Sequence, residues 1–127
     1  MNQSFGKKYK LCSKKIIDLV YRTGKEIKAF PFYLKYTEDE FCETPFQIVI
    51  VVPKKKFRQA TTRNQIRRYI REAIRLEKPQ LENYLIGHSK SLALFLIYSG
   101  PAEINLGTAK NQITKLLNKL IDTLETK

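Results

Sequence analysis

The chain has 127 residues, 43% of them hydrophobic, with 24 Lys and Arg against 12 Asp and Glu and a formal net charge of +12. That length predicts one domain over residues 1–127 with a single modest core, and the hydrophobic share excludes disorder over most of it. An imbalance of this size repels itself in the compact state, so it points to a polyanionic partner, either nucleic acid or an anionic membrane.

The membrane is disfavoured, because the longest apolar runs, "IVIVV" and "LALFLIY", are of strand length and far short of a bilayer span. The opening "MNQSFGKKYK" is basic with no apolar stretch behind it, which predicts no secretory signal. Cys12 and Cys42 are too few for a disulfide framework and lack zinc-site spacing. They predict reduced thiols in a cytoplasmic protein.

The first predicted element is a helix capped by Ser13, with an apolar stripe through Ile16, Ile17, Leu19, Val20 and Tyr21 and a stop at Gly24. Extended segments follow: "EIKAF", then "PFYLKY" starting at a proline, then "FQIVIVV" after the acidic stretch "TEDEFCETP". The β-branched run in the last of these suggests a strand buried on both faces, and three strands in succession suggest an antiparallel meander. A basic helix comes next and is expected to end before Pro79. "SLALFLIY" is a further strand. The closing helix repeats apolar residues at steps of three and four through Ile113, Leu116, Leu117, Leu120, Ile121 and Leu124. The fold class is therefore α+β, with helices packed on a small sheet.

The basic helix is the unusual feature. "TRNQIRRYIREAIR" holds five arginines and one acid, Glu72, where a salt-bridged surface helix would alternate the two signs. At about 100° per residue, Arg63, Asn64, Arg67, Arg68, Arg71 and Arg75 fall within roughly 140° of one another. Ile66, Tyr69, Ile70, Ala73, Ile74 and Leu76 occupy most of the remaining arc. Thr62-x-x-Gln65 has the form of a capping box, which would start the helix there. Upstream, "PKKKFR" places Lys54, Lys55, Lys56 and Arg58 beside the same face. A guanidinium presents a planar fork of donors that matches phosphate oxygens, and solubility alone needs no such concentration of one sign.

"KKKFRQATTRNQIRRYIREAIR" resembles the signature of the bacterial ribonuclease P protein component. Lys55 and Lys56 match its Lys-Lys pair, Arg63 and Asn64 the first letters of its Arg-Asn-Arg, and Arg67, Arg68 and Arg71 its later basic positions. Gln65 stands where the third letter is usually Arg, and Arg58-Gln59 where Gly-Asn is frequent. "KLCSKKIIDLVYRTG" resembles the opening helix of that family. The resemblance implies an αβββαβα fold with the basic helix in a crossover between strands. It also implies a subunit that binds the catalytic ribonuclease P RNA and the 5′ leader of precursor tRNA, with magnesium ions held in the complex with RNA. The leader would lie between the first helix and the sheet, with Tyr21 matching the second aromatic of the family's first helix and Ile17 replacing the first. Alternation puts Tyr33 and Lys35 on one face of their strand, which is assigned to that cleft.

The chain itself offers no catalytic constellation. His88 is the only histidine, in the loop "GHSK", whereas a histidine-type nuclease needs an acid–base pair. Glu38, Asp39, Glu40 and Glu43 read as an acidic surface loop rather than as metal ligands, so no metal held by the protein alone is expected. Two rival readings are a stand-alone RNA-binding or ribosomal protein without a leader cleft, and a DNA binder. The second is disfavoured by the width of the basic face and by the lack of a dimerisation segment.

Overall fold

The computed structural model describes residues 14–38, 45–88, 91–101 and 104–125. The elements run α1 (Lys14–Thr23), β1 (Lys25–Ala29), β2 (Phe32–Glu38), β3 (Phe46–Val51), α2 (Ala60–Gly87), β4 (Leu92–Tyr98) and α3 (Leu106–Glu125), the αβββαβα order that the sequence suggests. Ser13, Cys12, Cys42 and most of the acidic stretch lie outside the described residues.

The sheet order is β1-β2-β4-β3. β1 and β2 form an antiparallel hairpin and β2 is antiparallel to β4, but β3 pairs parallel with β4. The expected meander is therefore wrong: β4 enters between β2 and β3 after a crossover through α2. β3 becomes an edge strand, and Val49, Ile50 and Val51 remain only partly buried rather than enclosed on both faces. The enclosed strand is the central one, β4, with Leu92, Ala93, Leu94, Leu96 and Tyr98 all buried.

One face of the sheet carries the main core. Phe32, Leu34, Tyr36, Phe46, Ile48, Leu92, Leu94, Leu96 and Tyr98 pack against Ile66, Ile70, Ala73, Ile74, Leu81 and Leu85 of α2 and the apolar stripe of α3. α1 covers part of the other face. Val20 is fully buried against Ala93, with Ile16, Ile17, Val49 and Phe95 packed around them. Gly24 ends α1 where the chain turns into β1. Its amide donates to Val20 O at 2.8 Å, and a Cβ there would collide with that same oxygen and lie 3.1 Å from Tyr36 O. No larger residue fits this approach of α1 to β2.

Two expectations about α2 fail. The helix starts at Ala60 behind Gln59, and Thr62 Oγ1 donates to Gln59 Oε1 at 3.5 Å rather than capping a backbone amide. It also passes through Pro79 and continues to Gly87. Proline in a helix interior removes one backbone bond and crowds the preceding turn, but burial of Ile74, Leu81 and Leu85 on both sides of Pro79 outweighs that local penalty. Pro79→Ala should therefore raise stability by up to about 3 kcal/mol. An unchanged denaturant midpoint would show that the ring has no net cost here.

No helix among the described residues is long and apolar enough to cross a membrane.

Candidate nucleic-acid interface

Two surfaces carry the residues singled out by the sequence. The first is the N-terminal half of α2 together with the 53–58 loop. Arg63, partly buried, donates through Nη1 to Phe57 O at 2.8 Å and Arg58 O at 3.0 Å, which ties the loop to the first turns of the helix. Phe57 is buried and stacks on Tyr98 with ring centroids 5.9 Å apart, so the loop is anchored from beneath as well. Lys56 Nζ donates to Ser99 O at the end of β4. The basic loop and the basic helix are thus one continuous surface.

The cations on it are not equivalent. Arg68, Arg71, Lys54, Lys55 and the side chain of Arg58 are exposed and have no side-chain partner among the described residues. Arg67 Nη1 lies 3.4 Å from Asn64 Oδ1, a weak contact that leaves most of its donors open. Arg75 departs from the expected open face. Its Nε and Nη2 bind both oxygens of Glu72 at 3.0 and 2.5 Å. That bidentate hydrogen bond holds the Glu72 carboxyl below its ordinary value and raises Arg75. Gln65, off the basic face, donates to Tyr69 OH at 3.1 Å.

The second surface is the sheet face that α1 leaves partly open. The register aligns Glu26, Lys35, Phe95 and Val49 in one row and Lys28, Tyr33, Ile97 and Val51 in the next. Tyr21 reaches over the first row, 5.5 Å from the Phe95 ring and tilted to it. Lys35 Nζ sits 4.2 Å above the Tyr21 ring, donates to Tyr21 O at 2.8 Å and lies 3.8 Å from Glu26 Oε1. Lys28 Nζ lies 5.5 Å over the Tyr33 ring. A hydrogen bond to Glu26, aided by burial and then by the charges of Glu26 and Tyr21, pushes the Tyr33 hydroxyl above its ordinary value.

Tyr21, Tyr33 and Lys35 therefore converge as expected. Ile17 packs instead into the small cluster under α1, with Val20, Ala93 and Phe95. Sequence reasoning passed over Phe95, Ile97, Lys28 and Glu26. Alternation in "LALFLIY" sets Ala93, Phe95 and Ile97 on the face opposite Leu92, Leu94 and Leu96, and that signal was available. The pairing of Lys28 and Glu26 with β2 was not, since it depends on hairpin register. His88 ends α2, exposed, with its ring stacked 4.2 Å from Tyr84. No three His, Cys, Asp or Glu side chains come together as a metal site among the described residues.

A family model described as Ribonuclease P matches residues 5–124. The chain belongs to that family. The ribonuclease P protein components of two Porphyromonas gingivalis strains, ATCC 33277 and W83, are each 34% identical to it over 70 residues, 54% of this chain and 51% of theirs. The chain thus spans about half the length of the curated relatives it matches. Among solved structures, the RNase P protein of Staphylococcus aureus superposes with a TM-score of 0.70 at 21% identity, covering 88% of this chain and 94% of that one. The RNase P protein of Thermotoga maritima gives 0.67 at 21% identity, covering 87% and 96%. These likenesses establish a ribonuclease P protein fold.

Proposed function

We propose that the chain is the protein subunit of ribonuclease P, a single RNA-binding domain over residues 1–127 that assists endonucleolytic 5′ maturation of tRNA. The observation that carries this reading is the presence of two chemically different surfaces. One is a cluster of exposed cations without a side-chain partner among the described residues, Lys54, Lys55, Arg68 and Arg71, suited to the phosphates of a folded RNA. The other is the sheet face bearing Tyr33, Phe95 and Ile97 beside Tyr21, Lys28 and Lys35, suited to an unpaired strand whose bases can stack. The first surface takes the catalytic RNA and the second takes the leader of precursor tRNA.

Bond cleavage, on this reading, belongs to the RNA subunit and its magnesium ions. The described residues gather no three His, Cys, Asp or Glu side chains into a metal site. Their role is electrostatic: cations placed between two crowded phosphate surfaces relieve repulsion and favour occupancy of neighbouring magnesium sites.

The test is reconstitution with a bacterial ribonuclease P RNA, comparing affinity for precursor and mature tRNA. The protein should favour the precursor and permit leader removal at low magnesium. Equal affinity for the two RNAs would instead describe a stand-alone RNA binder.

A further inference from the structure

Two aromatic side chains stand out as exposed among the described residues, Tyr21 at 53% and Phe30 at 77%. Tyr21 belongs to the cleft already described. Phe30 has no role in the family signature as read above, and it sits in the short turn between β1 and β2. A single exposed apolar residue is ordinary, so its exposure alone carries no weight. Its surroundings do.

The turn is fastened to its neighbours. Ser99 donates to Pro31 O through its amide at 2.8 Å and through Oγ at 3.3 Å. Gly100 packs so tightly beneath that a Cβ there would lie 2.5 Å from Pro31 Cβ. Ser99 O in turn accepts from Lys56 Nζ. The residue next to Phe30 is thus linked, through the end of β4, to the loop bearing Lys54, Lys55 and Lys56.

The register supplies the second observation. The Glu26–Lys35–Phe95–Val49 row lies beneath Tyr21, and the Lys28–Tyr33–Ile97–Val51 row is the next toward the turn. Successive rows on one sheet face are about 7 Å apart, and Phe30 stands beyond the second of them. Two steps along this path each pair an aromatic ring with a cation, Tyr21 with Lys35 and Tyr33 with Lys28, and the exposed ring of Phe30 follows at the turn.

We propose that Phe30 is a further base-stacking contact for single-stranded RNA, extending the cleft past Tyr33 to the hairpin end. The proposal rests on the leader-binding reading above. An RNA strand lying on Tyr21 and Tyr33 would reach Phe30 with one more base. Phe30 would then set the leader length at which affinity stops rising.

The test uses the complex reconstituted with a bacterial ribonuclease P RNA and a series of precursor tRNAs whose leaders lengthen one nucleotide at a time. Phe30→Ala should leave the shortest leaders unaffected and weaken the longer ones about 5-fold or more, with no change in salt slope because no phosphate contact is lost. Phe30→Trp should keep the wild-type affinity. Its fluorescence should be quenched by an intact leader and not by one carrying an abasic site at the stacked position. If wild-type protein favours long leaders and Phe30→Ala does so equally, or if the abasic leader quenches Phe30→Trp as well, the assignment of Phe30 is overturned. If wild-type protein itself shows no preference for precursor over mature tRNA, the leader-binding reading fails instead.

Discussion

Alanine at both Arg68 and Arg71 should flatten the dependence of log K on log salt, for binding to a bacterial ribonuclease P RNA, by about two units. Each guanidinium is exposed and has no partner among the described residues, so each can meet a phosphate without first breaking an internal contact. A phosphate contact releases counterions worth roughly 0.9 units of slope on a duplex. Two lost contacts therefore make the gap between wild type and variant shrink by about tenfold from 50 to 200 mM salt. Arg75→Ala is the informative comparison, since Glu72 holds Nε and Nη2 of that guanidinium. It should move the slope by less than about half a unit. A double variant with the wild-type slope would remove Arg68 and Arg71 from the RNA interface. Equal slopes changes for Arg75→Ala would mean that RNA opens the Glu72 pair.

The contrast between those arginines also marks what the sequence could and could not reveal. Helical periodicity put Arg63, Arg67, Arg68, Arg71 and Arg75 on one side of α2 because a fixed turn per residue allows little else. It could not show that Arg63 turns back onto the Phe57 and Arg58 carbonyls, since that depends on the path of the preceding loop. Glu72 was visible as the lone acid, but whether it faced Arg68 or Arg75 depended on rotamers. The sheet followed the same division. Alternation within "PFYLKY" separates Phe32, Leu34 and Tyr36 from Tyr33 and Lys35, and the structure keeps that separation. Which strands lie side by side is a long-range matter, decided by burial of both faces of β4, and the meander drawn from strand order alone failed there. Pro79 failed for the opposite reason. There the local penalty of the ring is smaller than the tertiary burial of the flanking turns.

Lys35→Met should lower affinity for precursor tRNA while leaving both assembly with the catalytic RNA and the salt slope unchanged. The side chain is only 15% exposed, and its ammonium is engaged three ways: with Tyr21 O, with the face of the Tyr21 ring and with Glu26. An ammonium so enclosed acts as a strut that fixes Tyr21 over Phe95, rather than as a free ligand for phosphate. Methionine keeps much of the apolar stem and removes the charge, so the ring of Tyr21 loses its tether without a cavity opening beneath it. Tyr21→Ala, which removes the stacking surface itself, should cost about 5-fold or more in precursor affinity, and Lys35→Met should approach that loss without exceeding it. The double variant should then be no worse than Tyr21→Ala, because the strut has nothing left to hold. A salt slope flattened by about one unit in Lys35→Met would show instead that the ammonium leaves Tyr21 and Glu26 to meet the RNA backbone directly.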